Sequence, residues 1–140
     1  MQVQLLGTLE IHHDGSSREV ASAKVRTVLA LLAFSPGVPV STGLLVEELW
    51  GDARLGNARN ALQANITRLR KLLESVTGQR GDEVVRTVSS GYLLDLPKEC
   101  VDAHRFLELA NRGARVLDSD PRRAVELLER ALRLWRGPAL

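Results

Sequence analysis

The stretch from Asn57 to Glu74, NARNALQANITRLRKLLE, decides how the rest of the chain is read. Leu62, Ile66, Leu69 and Leu73 recur at spacings of four, three and four, which puts them on one buried stripe of a helix. At about 100° per residue, Asn60, Ala64, Thr67, Arg68 and Lys71 fall on the opposite side, with Arg59, Gln63 and Arg70 on a flank. The outward face thus combines cations, amides, a hydroxyl and a small residue. It carries no carboxylate: between Asp52 and Glu74 the charged residues are Arg54, Arg59, Arg68, Arg70 and Lys71. A solvated helix normally mixes its signs, because opposite charges at i,i+4 stabilise it and like charges repel. A one-sign face bearing Asn and Gln suits a surface of phosphates and base edges. Asn57 is placed to cap the first turn, where amide N–H groups can also meet a phosphate. The segment alone leaves a second reading open, an amphipathic core helix with a basic outside.

Bulk properties bound the answer without choosing it. A chain of 140 residues holds one sizeable domain or two small ones, and 44% hydrophobic with 26% charged residues is the composition of a folded soluble protein. The longest apolar run, Val28 to Phe34, is far too short to span a bilayer, and no signal-peptide pattern opens the chain. The single cysteine, Cys100, cannot form an internal disulfide, which fits a cytoplasmic protein. The net charge of +2 identifies no partner. Residues 1–97 hold ten basic and ten acidic side chains, so the basic character belongs to one face.

Taken in order, the chain starts as β structure. Val3, Leu5, Leu9 and Ile11 give short extended runs broken at Gly7, and Asp14-Gly15 is a hairpin signal. A third strand around Arg18 to Val20 completes a small antiparallel sheet. His12 and His13 beside that turn have no further ligands near them in sequence, so no metal site is expected. A helix follows from Ala23 to Phe34, with Val25, Val28, Leu29 and Leu32 inward, ended by Pro36-Gly37. Val38 to Val40 offers one β bridge. Ser41 and Thr42 cap a second helix reaching Trp50, with Leu45, Leu49, Leu44 and Trp50 turned inward and Glu47 and Glu48 on its outer face. Gly51-Asp52 stops it, and a loop through Gly56 leads into the helix quoted above. After Glu74, Gly78 to Asp82 reads as a loop, then Glu83–Val88 and Tyr92–Leu96 as a hairpin around Ser89-Ser90-Gly91. Three helices followed by a two-stranded ribbon form a winged helix-turn-helix, in which the third helix enters the major groove and the ribbon touches the flanking backbone. The basic face and the hairpin are independent signals, and together they favour nucleic acid over the bland reading.

These segments also resemble a known family. The N-terminal strands, LLVEELWGD and ARNALQANITRLRKLL followed by VVRTVSSGYLL are similar to an OmpR-type winged helix. More narrowly, with CVDAHRFLELANRGARVL and DPRRAVELLERALRLWRGPAL, they resemble the Streptomyces antibiotic regulatory protein (SARP) family of transcriptional activators, whose winged helix is followed by a bacterial transcriptional activation domain. The resemblance implies an α+β fold: an N-terminal antiparallel sheet, three helices and a β-hairpin wing over residues 1–97. Residues 98–140 would be the first helices of a TPR-like activation domain, cut short. It implies a DNA-reading helix over Ala58–Glu74, with Asn60, Gln63, Ala64, Asn65, Thr67, Arg68 and Arg70 facing DNA. Asn65 is the one that the helical wheel does not pick out. Gln63 and Asn60 suit adenine, Ala64 and the Thr67 methyl suit a thymine methyl, and Arg59, Arg68, Arg70 and Lys71 suit phosphates. Many wings of this type carry an arginine where this chain has Ser89. The Ser-Ser-Gly tip implies weaker wing readout, leaving Arg86 or Thr87 to touch the backbone.

The family further implies two copies on direct repeats near the promoter and contact with RNA polymerase holoenzyme. Glu47, Glu48 and the segment from Asp52 to Gly56 are the expected polymerase surface, against the plain alternative that these carboxylates only solvate the helix. The function expected is activation of a secondary-metabolite (antibiotic) gene cluster, in the cytoplasm at the nucleoid, with no cofactor. The alternative is a helical interaction module whose basic face binds an acidic partner.

Val101 to Leu140 gives two amphipathic helices. Asp102 is placed to cap the first, which runs to about Leu117 with Phe106, Leu107, Leu109, Ala110 and Val116–Leu117 apolar. Asp120 and Pro121 open the second, which should bury Ala124, Leu127, Leu128, Ala131, Leu132 and Trp135 before Gly137-Pro138. Such a pair resembles one tetratricopeptide-type repeat, and repeats need neighbours to cover their apolar faces. Either the sequence is a piece of a longer regulator, or the pair packs on the winged helix or on another chain. Nothing supports an enzyme: His104 and Cys100 sit on different elements without a third group, and no glycine-rich phosphate loop is present.

Overall fold

Strand β1 (Gln2–Gln4) pairs antiparallel with β2 (Glu10–His13), which pairs with β3 (Ser16–Glu19). Asp14 and Gly15 both take positive φ, 48° and 79°, the backbone shape a two-residue hairpin needs to match the strand twist. The third strand therefore starts at the turn, earlier than the expected Arg18, and Val20 leaves it to enter the core. These coordinates come from a computed structural model that describes residues 1–51 and 56–138. Asp52, Ala53, Arg54 and Leu55, on which much of the expected polymerase loop falls, lie outside the described residues.

Helix α1 spans Ala23–Phe34, as its sequence boundaries indicate, with the Ser22 hydroxyl accepting from the Val25 amide. The two-residue strand β4 (Val40–Ser41) leads straight into α2 (Thr42–Trp50), whose first turn is capped by Ser41 through Leu44 N–H at 3.1 Å. Leu45 and Leu49 are buried, but Leu44 is 44% exposed and does not turn inward as expected. Trp50 is half-buried against the core, with the Lys24 ammonium 5.2 Å from its ring centroid. Lys24 also donates to the Leu49 carbonyl, fixing a cation at the negative end of α2.

Helix α3 runs Ala58–Thr77, three residues past the expected end, until Gly78 adopts φ 72°. Asn57 occupies the position before the first turn, but its side chain makes no capping bond, so that expectation fails. The segment read as a loop ends in a short helix α4 (Gly81–Val84), so the wing strand β5 starts at Val85 rather than Glu83. Strands β5 (Val85–Val88) and β6 (Gly91–Leu94) form the wing hairpin, and β4 adds on the far side of β6, giving the order β4-β6-β5. Gly91 is obligatory there: a Cβ would lie 2.0 Å from the Val40 carbonyl oxygen. One core joins the inner faces of α1, α2 and α3 to both sheets through Leu9, Ile11, Leu29, Leu32, Leu45, Leu62, Leu69 and Leu94.

The chain then turns through Lys98–Cys100 into α5 (Asp102–Val116), followed by α6 (Pro121–Arg133), with Asp120 capping the Arg123 amide. The two helices approach closely at Gly113, where a Cβ would lie 3.0 Å from the Leu128 side chain. Only Ala124, Leu127 and Ala131 of α6 are buried. Leu128, Leu132 and Trp135 were expected inside, yet they are 38%, 64% and 48% exposed: Ala124, Leu127 and Ala131 form the buried stripe, with Leu128 at its edge against Gly113 and Trp135 edge-on to Phe106. Leu107 and Leu117 of the α5 segment are also exposed.

The pair packs back on the N-terminal sheet. Val101 makes a parallel bridge to Val3. Asp102 is 1% exposed and does not cap α5; its carboxylate accepts from the Leu5 amide at 2.6 Å and the Leu6 amide at 2.9 Å. His104 Nε2 donates to the Phe34 carbonyl at 2.8 Å. Beyond α6, the Arg136 amide donates to Leu6 O and its guanidinium reaches Thr8 O and the Glu10 carboxylate, each at 2.9 Å. Among the described residues no helix is long and apolar enough to cross a membrane.

Candidate nucleic-acid interface

Arg59, Asn60, Gln63, Ala64, Thr67, Arg68 and Lys71 are all exposed on α3. Their spacing forms a single stripe, which from Arg59 to Lys71 extends about 18 Å along the helix. The opposite stripe is Leu62, Asn65, Ile66, Leu69 and Leu73, all buried. Asn65 is 5% exposed and donates from Nδ2 to the Ala61 carbonyl at 3.0 Å. Its placement corrects the family-derived expectation: the side chain points into the fold and is not presented to DNA. The wheel had already separated it from the other six.

Arg70 also departs from its expected role. It is half-buried, with Nε and Nη2 donating to the Val85 carbonyl at 2.9 and 2.7 Å and Nη2 to the Thr87 hydroxyl at 2.9 Å. The guanidinium is thus engaged with the wing. Thr87 faces α3, and strand alternation puts Arg86 on the other face of β5. There Arg86 is 3.4 Å from Asp95, an exposed pair of small energetic weight, with Asp82 and Glu83 lining the same hollow. That mixed-sign surroundings suits a phosphate poorly. Ser89 stands exposed at the wing tip, as expected.

The wing tip is tied to the second helix, because the Thr42 amide donates to Ser90 O at 3.1 Å. Thr42, Gly43, Arg59, Gln63, Ser89 and Ser90 line one open cleft. Its contributors are the positive end of α2, a guanidinium, an amide side chain and two hydroxyls. Such groups are chemically suited to an anionic oxygen: helix N-termini and Arg both bind anions, and hydroxyls donate to them. The cleft adjoins the exposed α3 stripe at Arg59 and Gln63, which belong to both. Sequence reasoning missed the α2 part of this site. The signal was present in Ser41, which caps α2, and Thr42, which opens it, but the β4–β6 pairing is what brings that end to the wing. Glu47 and Glu48 are exposed on α2 and make no ion pair among the described residues. No group of three or more His, Cys, Asp or Glu side chains among the described residues is placed to hold a metal.

Comparison with known proteins matches residues 18–94 to the family described as transcriptional regulatory protein, C terminal, and residues 101–140 to the bacterial transcriptional activator domain. The chain is 47% identical over 141 residues to the transcriptional regulator RedD of Streptomyces coelicolor, covering all of this chain and 40% of that protein. It is 35% identical to the regulatory protein DnrI of Streptomyces peucetius, again over all of this chain and 53% of the relative. A solved structure of Mycobacterium tuberculosis EmbR in complex with a low-affinity phosphopeptide superposes with a TM-score of 0.90 at 31% identity, over 99% of this chain and 37% of that one. The chain therefore spans about half or less of the length of these proteins.

Proposed function

Because the chain belongs to the family described as transcriptional regulatory protein, C terminal, and within it to the SARP regulators, we propose that it binds duplex DNA sequence-specifically and activates transcription. The observation that carries the reading is the exposed, carboxylate-free stripe of α3 opening onto the cleft between the α2 N-terminus and the wing tip. In this reading α3 lies in the major groove. Gln63 and Asn60 pair with adenine edges, Ala64 and Thr67 touch thymine methyls, and Arg68 and Lys71 hold phosphates along the groove. Arg59, the α2 N-terminus and Ser89 and Ser90 hold one further phosphate in the cleft. Residues 1–97 act as the DNA-binding domain, and residues 98–140 begin the activation domain.

A single helix makes few base contacts, so genomic specificity calls for two copies on direct repeats beside the promoter. The exposed carboxylates of Glu47 and Glu48 repel phosphate and present a surface for RNA polymerase at the nucleoid. The target class is a secondary-metabolite gene cluster. Binding of labelled genomic duplexes, titrated with salt, tests the reading. Affinity should fall steeply with salt, and Arg68→Ala should weaken all sequences alike and flatten the log–log slope by roughly one. Weaker binding to duplex DNA than to an unrelated acidic protein would replace it with the interaction-module alternative.

A further inference from the structure

Arg70 lies on the flank of the basic stripe, one residue from Lys71 and two from Arg68, yet its side chain runs the other way. Two of its nitrogens converge on one acceptor, the Val85 carbonyl, and one of them also reaches the Thr87 hydroxyl. Its Cζ sits 5.8 Å from the centroid of the Tyr92 ring on the adjacent wing strand. Both strands of the hairpin are therefore held by one guanidinium. The root of the wing is pressed onto the same residue: a Cβ on Gly81 would lie 2.5 Å from the Arg70 Cβ and from its carbonyl oxygen. At the other end of the hairpin, the Ser90–Thr42 hydrogen bond ties the tip to α2. The wing is thus fixed at both ends, and the Arg70 end is hydrogen-bonded directly to α3.

We infer that Arg70 is a positioning residue, whose guanidinium locks the wing to α3 and so sets the spacing at which helix and wing meet DNA. The inference rests on the DNA-binding reading above and assigns Arg70 a role different from its neighbours Arg68 and Lys71. Only a planar fork does this job. A lysine keeps the charge, and a lysine binds phosphate well as a point charge, but it cannot place two donors on one carbonyl while stacking on a ring. The two roles therefore predict opposite results for one conservative substitution.

The test is Arg70→Lys, read in two ways. Without DNA, hydrogen exchange should quicken by roughly tenfold or more at the β5 and β6 amides while the buried centre of α3 keeps its protection. With DNA, hydroxyl-radical footprints should lose the protections flanking the major-groove contact and keep those within it, with cognate affinity down about tenfold. Thr87→Val, which removes a single acceptor and folds with the hairpin intact, should shift both readouts the same way by less. Unchanged exchange with a complete footprint overturns the inference, as does a uniform loss of all protections in a folded variant. Failure of the wild-type chain to bind any duplex would sink the DNA-binding reading instead, and the exchange measurement would still decide the lock.

Discussion

Replacing Asp102 with alanine should remove about 3 kcal/mol of stability, because its carboxylate accepts from the amides of both Leu5 and Leu6. Each hydrogen bond to a charged acceptor contributes about 1.5–3 kcal/mol, and a buried N–H left without a partner costs about 1–3 kcal/mol. The carboxylate is 1% exposed and both bonds are 2.9 Å or shorter, so neither is discounted for solvent. Water entering the space left by the side chain recovers part of the loss, which sets the figure near the low end of the combined range. Against a total stability of about 5–15 kcal/mol this is large, and the melting temperature should fall by roughly 10 °C. Urea unfolding followed at the two tryptophans separates the parts: Trp50 reports the winged helix, and Trp135, edge-on to Phe106, the helical pair. In the wild type the two transitions should coincide; in Asp102→Ala the Trp135 transition should come first. Asp102→Asn retains one acceptor oxygen but turns an NH2 group toward an amide, so its loss should approach that of alanine. A loss under about 0.5 kcal/mol, with coincident transitions, would refute the reasoning.

Gly91→Ala should cost about 3 kcal/mol or more and separate β4 from β6, since its Cβ has no room beside the Val40 carbonyl; a circular-dichroism melt of the purified variant checks it. Gln63→Ala should lower affinity for the best site by about 1–3 kcal/mol and relax preference at one base pair, with little effect on random duplex. Equal losses on both sequences would mean that Gln63 only orients the helix. For Glu47→Lys/Glu48→Lys, in-vitro transcription should fall while DNA binding holds, and no change in either would remove the polymerase contact.

Much of the site was legible because it depends on local rules. The i,i+3/i+4 stripe of α3 separated Leu62, Ile66, Leu69 and Leu73 from the exposed row, and the buried residues agree with it. Helix α1 was legible in its extent, since Val25, Val28, Leu29 and Leu32 mark its inner face and Pro36-Gly37 its end, while the Ser22 cap went unread. Periodicity, however, ranks residues only by which way they face. It cannot say that an outward Arg70 meets a strand fifteen residues later in the chain, or that Asp102 is taken up by amides almost a hundred residues earlier. Leu128, Leu132 and Trp135 failed in a related way: a helix with apolar residues over more than one stripe buries whichever stripe its neighbour reaches. Asn57 shows that a residue suited to capping is not obliged to cap.

The clamp formed by Asp102 and Arg136 has a consequence for the order in which the molecule assembles. Leu5, Leu6, Thr8 and Glu10 find their partners 96 to 128 residues downstream. At a synthesis rate of about 5–20 residues per second, the first strand waits on the order of ten seconds before those partners exist. Throughout that interval the edge of β1 that later bridges to Val101 is open, a template for pairing with another chain. The loop closed by Arg136 and Thr8 spans 128 residues, so its closure entropy is met only after both parts have formed locally. Docking of α5 and α6 on the N-terminal sheet therefore follows local formation of both parts, and the short, polar β1, with Gln at both ends, is suited to waiting for it in water.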